Sequence, residues 1–153
     1  FFSMNFPKLT FSATSAPKNL ITGLGAKPKA VFQGVDYLAV YDSYEDVLSI
    51  DPEHYVLQKL DRRGVIVTSL APPESPADFV SRFFCPKFGV PEDPVCGSAH
   101  CMLVPYWASE INKSNFLAHQ VSKRGGEVYC KLIDDRVELK GKAVRYLKGQ
   151  INF

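Results

Sequence analysis

The sequence has little of what would commit it to a membrane, a nucleic acid or an oxidising compartment. No apolar run approaches the roughly 20 residues a helix needs to cross a bilayer, so no helical span is expected. No lysine-arginine block stands out: 18 basic residues against 16 acidic ones leave a net charge of +2. That balance gives nucleic acid or a membrane surface no electrostatic hold. The four cysteines, Cys85, Cys96, Cys101 and Cys130, form no CxxC pair and are unevenly spaced. Such spacing reads as reduced thiols, not a disulfide framework, and predicts a soluble, cytoplasmic domain. A charged start leading into a long apolar segment, as in a secretion signal, is missing too.

What is present suffices for one domain. The chain has 153 residues, 46% of them hydrophobic, enough to bury a core without metals or cross-links. It opens on Phe1, and Met4 falls inside an alternating stretch, Phe2-Met4-Phe6 against Ser3-Asn5-Pro7. That start reads as a strand belonging to something larger; a tag remnant ahead of a start at Met4 is the other reading.

Strand signals dominate. Residues 9–12 are expected to continue the opening strand, followed by strands over 29–34, 37–41 and 64–70, the last a β-branched run suited to burial. Residues 78–84 alternate, with Phe79, Ser81 and Phe83 on one face and Val80, Arg82 and Phe84 on the other. Further strands are expected over 118–122, 127–133, 136–139, 143–147 and 150–153, separated by turns at 124–126, 134–135 and 140–141. Helices are expected over 16–24, 43–48, 52–60 and 97–109. The last is the most apolar and should be buried on most sides, with Pro105 removing one backbone hydrogen bond. The fold class is therefore α+β: many short, mostly antiparallel strands enclosing one apolar helix.

The stretch that carries chemistry is Glu92-Asp93-Pro94-Val95-Cys96-Gly97-Ser98-Ala99-His100. Gly97, Ser98 and Ala99 are small, so their N–H groups at a helix start lie open to an anion, most simply a substrate carboxylate. Asp93 precedes that positive end and is placed to move a proton to or from a group held there. Cys96 sits where a thiol's pKa tends to fall, and Ser98 can cap the helix or donate to a ligand. Each has a plainer role. An Asp or Ser before a helix is more often a cap, Cys96 a small buried hydrophobe, and His100 a packing residue. Zinc is not expected from Cys96, His100 and Cys101, whose spacings match no usual ligand pair, and no GxxxxGK[ST] phosphate loop exists.

With the Pro105-Tyr106-Trp107 that follows, this stretch closely resembles the EDPVTGSAH signature and PYW-like element of the phenazine-biosynthesis-protein-like (PhzF-like) family. The resemblance extends to Ser81-Arg82-Phe83-Phe84 with Pro86 and Gly89, to Gln120-Val121-Ser122-Lys123-Arg124-Gly125-Gly126, and to 137–149. The opening 2–7 resembles the strand that begins the family's second half.

The family resemblance implies a diaminopimelate epimerase-like fold of two halves, each a curled, mostly antiparallel sheet or barrel around a central helix, with the site in the cleft between them. It implies proton shuttling on a small carboxylate substrate, by isomerases or epimerases that need no metal or organic cofactor and often pair as homodimers. Asp93 then corresponds to the motif aspartate, and Gly97 and Ser98 to substrate-contacting residues, beside Ala99. Cys96 departs from the family threonine and is either a volume-conserving replacement, which we favour, or an acid/base thiol like that of related cysteine racemases. The first half's glutamate and its CGHAT-like histidine have no match here. Residues 1–153 thus resemble a single C-terminal lobe, with the N-terminal lobe as its missing partner and little turnover expected alone. A non-catalytic small-molecule-binding or interaction module of the same fold is the alternative.

Overall fold

The computed structural model describes residues 1–152. Its strands form one nine-stranded sheet in the order β1-β9-β8-β7-β6-β5-β4-β3-β2. They are β1 (Phe2–Pro7), β2 (Ser12–Thr14), β3 (Ala30–Gln33), β4 (Tyr37–Val40), β5 (Val65–Leu70), β6 (Phe79–Phe84), β7 (Asn115–Gln120), β8 (Gly126–Ile133) and β9 (Arg136–Gly141). Neighbours pair antiparallel except β4 with β5 and β6 with β7, which run parallel. The helices are α1 (Lys18–Leu24), α2 (Tyr44–Ser49), α3 (His54–Leu57) and α4 (Gly97–Ile111), with a short 3-10 turn over Pro86–Phe88.

Side-chain alternation explains the layering. In β4 to β6, one set of residues (Leu38, Ile66, Phe79, Phe83) faces the cluster built on α4. The other set (Ala39, Val65, Val67, Val80, Phe84) joins Leu20, Leu24, Val47 and Leu57 from α1, α2 and α3. These strands are buried on both faces, as the β-branched run in β5 led us to expect. Strands β7 to β9 bury only the α4 side: Phe116, Ala118, Val128, Cys130, Val137 and Leu139 belong to that core. The predicted division of β6 into two faces is what the two clusters contain.

The expected barrel is corrected to an open sheet. Its ends are β1, paired only with β9, and the short β2, paired only with β3. Lys8 N–H still donates to Asp135 O in register with β9, but Pro7 has no N–H to offer on the outer side of β1, and Leu9 N–H turns to Cys101 O on α4, both bonds at 2.9 Å. Residues 9–12 therefore do not continue the opening strand; Leu9 and Phe11 pack against the α4 core on the way to β2.

Helix α4 runs two residues past its expected end and keeps Pro105 inside. Ala99 through Val104, Tyr106 and Trp107 are all buried. Proline gives no N–H back to Cys101, whose carbonyl instead takes the Leu9 amide. The freed acceptor is satisfied from another segment, and the helix continues. The strand expected over 143–147 is absent: those residues are unpaired and exposed, with Val144 94% and Tyr146 fully exposed. Residues 150–152 also form no strand, and Phe153, the end of that expectation, lies outside the described residues. No described helix is long and apolar enough to cross a membrane.

Candidate functional site

The motif is pinned on three sides before it reaches α4. Arg82 forks onto Glu92 at 2.8 and 3.2 Å and gives a third bond to Ile50 O at 2.7 Å. Asp93 N–H donates to Phe83 O at 2.9 Å. From β7, the buried Gln120 amide donates to Asp93 O at 2.6 Å and accepts from Cys96 N–H at 2.8 Å. Ser122 donates to Pro94 O at 2.8 Å and accepts from Gly125 N–H at 3.1 Å. The Gln-x-Ser segment, legible in the sequence only as a resemblance, is therefore a clamp on 93–96.

Gly126 closes that clamp by close approach. A Cβ there would lie 2.4 Å from Val95 Cγ2, and valine's branched side chain is stiff at χ1. Gly126→Ala is expected to destabilise by about 1–3 kcal/mol through overpacking. Adding Val95→Ala should restore most of the loss in urea unfolding; additive losses would mean that Gly126 serves another purpose.

Neither expected capping residue caps α4. The helix starts with Cys96 in the N-cap position and no side-chain cap. Asp93 Oδ1 instead accepts from Val95 N–H at 3.0 Å, a tight turn ahead of the helix. Ser98 lies inside the first turn, where its hydroxyl receives Arg63 Nη2–H at 2.9 Å and sits 3.3 Å from Cys96 Sγ. Sequence spacing favoured a cap; here each candidate oxygen is taken by another partner. Among the first-turn donors, Cys96 N–H is satisfied by Gln120, ahead of Gly97, Ser98 and Ala99.

The five expected residues differ in access. Gly97 lines a concavity of about 440 Å³, together with Val95, Gly126, Leu139, Arg124 and Lys142. Asp93 and Ser98 are half-buried, Cys96 is buried and Ala99 belongs to the core. A larger hollow of about 600 Å³ lies elsewhere, against Phe116, Tyr129 and Lys113.

Two groups act from behind: His100, expected to be a packing residue, and the Asp36–Arg63 pair, which sequence reasoning missed. His100 is fully buried, and its Nδ1 donates to Cys96 O at 2.7 Å, so its ring holds the peptide that leads into Gly97. Burial lowers its pKa and keeps the ring neutral. Asp36, fully buried in the turn before β4, holds Arg63 Nε at 2.9 Å, and the same guanidinium reaches Ser98. No spacing links 36 to 63. The signal is the parallel register Tyr37 with Val65, which sets the residues before those two strands side by side. Burial pushes the thiols of Cys85 and Cys130 up, and that of Cys101 up to about 11. Among the described residues, no group of three or more His, Cys, Asp or Glu is placed to hold a metal ion.

The family model for phenazine biosynthesis-like proteins, PhzC-PhzF, matches residues 3–149. The chain belongs to the PhzC-PhzF family. A protein of Halalkalibacterium halodurans named as an uncharacterized isomerase is 47% identical over 136 residues, 88% of this chain and 51% of that relative. Another so named, from Pseudomonas aeruginosa, is 44% identical over 97% of this chain and 56% of its own length. The crystal structure of a PhzF-family phenazine biosynthesis protein of Enterococcus faecalis superposes with a TM-score of 0.88 at 37% identity. It covers 99% of this chain and 57% of that structure. This PhzC-PhzF chain thus spans about half the length of the relatives it matches, and isomerase is the activity those curated relatives are named for.

Proposed function

We propose that this chain is the C-terminal lobe of a two-lobe PhzF-like isomerase or epimerase. It binds a small carboxylate substrate at the N–H groups of Gly97, Ser98 and Ala99, and Asp93 moves the proton without metal or organic cofactor. The observation that carries this proposal is the start of α4, where Gln120 takes only the Cys96 amide and the Asp93 and Ser98 oxygens are engaged elsewhere, leaving the Gly97, Ser98 and Ala99 amides without a side-chain cap. Free donors at the positive end of a long helix favour an anion. Cys96 fills the threonine position as a buried spacer. The other wall of the cleft comes from an N-terminal lobe, against which the exposed Phe2, Val144, Tyr146 and Leu147 would pack. A cytoplasmic location and pairing into homodimers complete the proposal.

Asp93→Asn, made in the two-lobe protein, tests it. Asparagine keeps the Oδ1 acceptor for Val95 N–H but cannot exchange a proton. Turnover is expected to fall about 10²–10⁴-fold while the unfolding midpoint barely moves. Equal loss of turnover and stability would assign Asp93 to the turn alone. Amide shifts confined to Gly97–Ala99 on titration with small carboxylates would support the cradle, and shifts elsewhere only would remove it.

A further inference from the structure

Two loops outside the motif send a charged pair to the start of α4. Asp36 precedes β4 and is fully buried; Arg63 precedes β5 and keeps a third of its side chain exposed. The guanidinium places Nε and Nη2 on the two carboxylate oxygens and Nη2 on Ser98 Oγ, with its carbon 5.3 Å from the Phe83 ring centre. The next residue permits this approach. A Cβ at Gly64 would lie 2.7 Å from both the Phe83 ring and Phe84 O, so only glycine lets the loop come this close to β6.

We propose that Arg63, locked by Asp36, is a positioning residue that fixes the Ser98 hydroxyl as a donor for the group bound at the α4 start. The proposal rests on the carboxylate site above. A structural tie would not choose this chemistry. A cation beside a helix N-terminus opposes the helix dipole, and a buried ion pair adds little net stability over apolar side chains. What the pair supplies is direction. A guanidinium has no lone pair to offer, so Ser98 Oγ must accept from Arg63. Its own proton is left for Cys96 Sγ at 3.3 Å or for a ligand atom. Asp36 offsets the charge, so Arg63 orients the hydroxyl without competing for the anion itself.

Arg63→Lys is the decisive variant, since lysine keeps the charge on Asp36 but lacks the planar fork that reaches two partners at once. Two quantities are read by NMR on this chain: the Ser98 χ1 couplings and the affinity for malonate at the Gly97 and Ser98 amides. Wild type is expected to hold one Ser98 rotamer, and Arg63→Lys to average it. Malonate affinity should fall about 10-fold in Arg63→Lys, as for loss of one charge-assisted hydrogen bond. It should fall equally in Ser98→Ala and no further in the double variant. A Ser98 rotamer unchanged by Arg63→Lys would overturn the proposal, as would losses that multiply in the double variant, since Arg63 would then act on the anion directly. If wild type binds no malonate, the carboxylate site falls, and the Ser98 rotamer alone decides the role of Arg63. Should Arg63→Lys fail to fold, Asp36→Asn must average the same rotamer for the proposal to stand.

Discussion

Arg63→Met is expected to destabilise the fold by about 3–5 kcal/mol, the cost of breaking one side of a buried ion pair. The asymmetry of the pair sets the size. Asp36 is fully buried, whereas Arg63 is a third exposed, so removing the arginine strands the partner that water cannot reach. No other salt bridge reaches Asp36 among the described residues. Replacing both, as Asp36→Leu with Arg63→Met, should recover most of the loss because no charge is left unpaired. Urea unfolding of the two single variants and the double closes the cycle. A double variant that loses the sum of the singles would show that the two side chains stabilise the fold separately.

Phe79→Ala should cost a comparable amount, about 3–5 kcal/mol, by a different mechanism. Phe79 is fully buried in the parallel-paired strand β6. It stacks on Trp107 at 5.8 Å and 16°, meets Phe116 edge-on at 5.8 Å, and lies 6.3 Å from the His100 ring. Removing it opens a cavity lined by three rings that are held from both sheet and helix, so little collapse can follow. Trp107 is the only tryptophan, which makes near-ultraviolet circular dichroism a local reporter of the void. A loss below about 1 kcal/mol, with the tryptophan signal unchanged, would mean that the sheet closes over the gap.

Much of this fold was legible because burial itself leaves a pattern. The unbroken apolar stretch of α4 and the β-branched run of β5 announce their layers wherever they pair. The site was half legible. Gly97 and Asp93 stand in a recognisable string, but what holds them does not. Gln120 meets Cys96 only because β7 lies parallel to β6 with Ser81 opposite Gln120, a pairing no local window contains. Arg63 and Asp36 were hidden for the same reason. The error at 143–147 has the converse cause: alternation is necessary for a strand, but a strand also needs a neighbouring edge, and both edges of β9, from which the chain has just left, are taken by β8 and β1. The barrel fails at the outer edge of β1, where Pro7 has no amide to give and the chain then leaves for α4, with Leu9 N–H donating to Cys101 O.

The carbonyl left spare by Pro105 has a consequence for the order of folding. An ordinary helix can complete its own ladder as soon as it nucleates, but α4 cannot, because the donor for Cys101 arrives from Leu9. A buried acceptor without a partner is costly, so the middle of α4 is secure only once the chain after β1 has crossed it. We therefore expect α4 to be a late and non-local element despite its apolar sequence, formed in the same step that carries the chain from one edge of the sheet to the other.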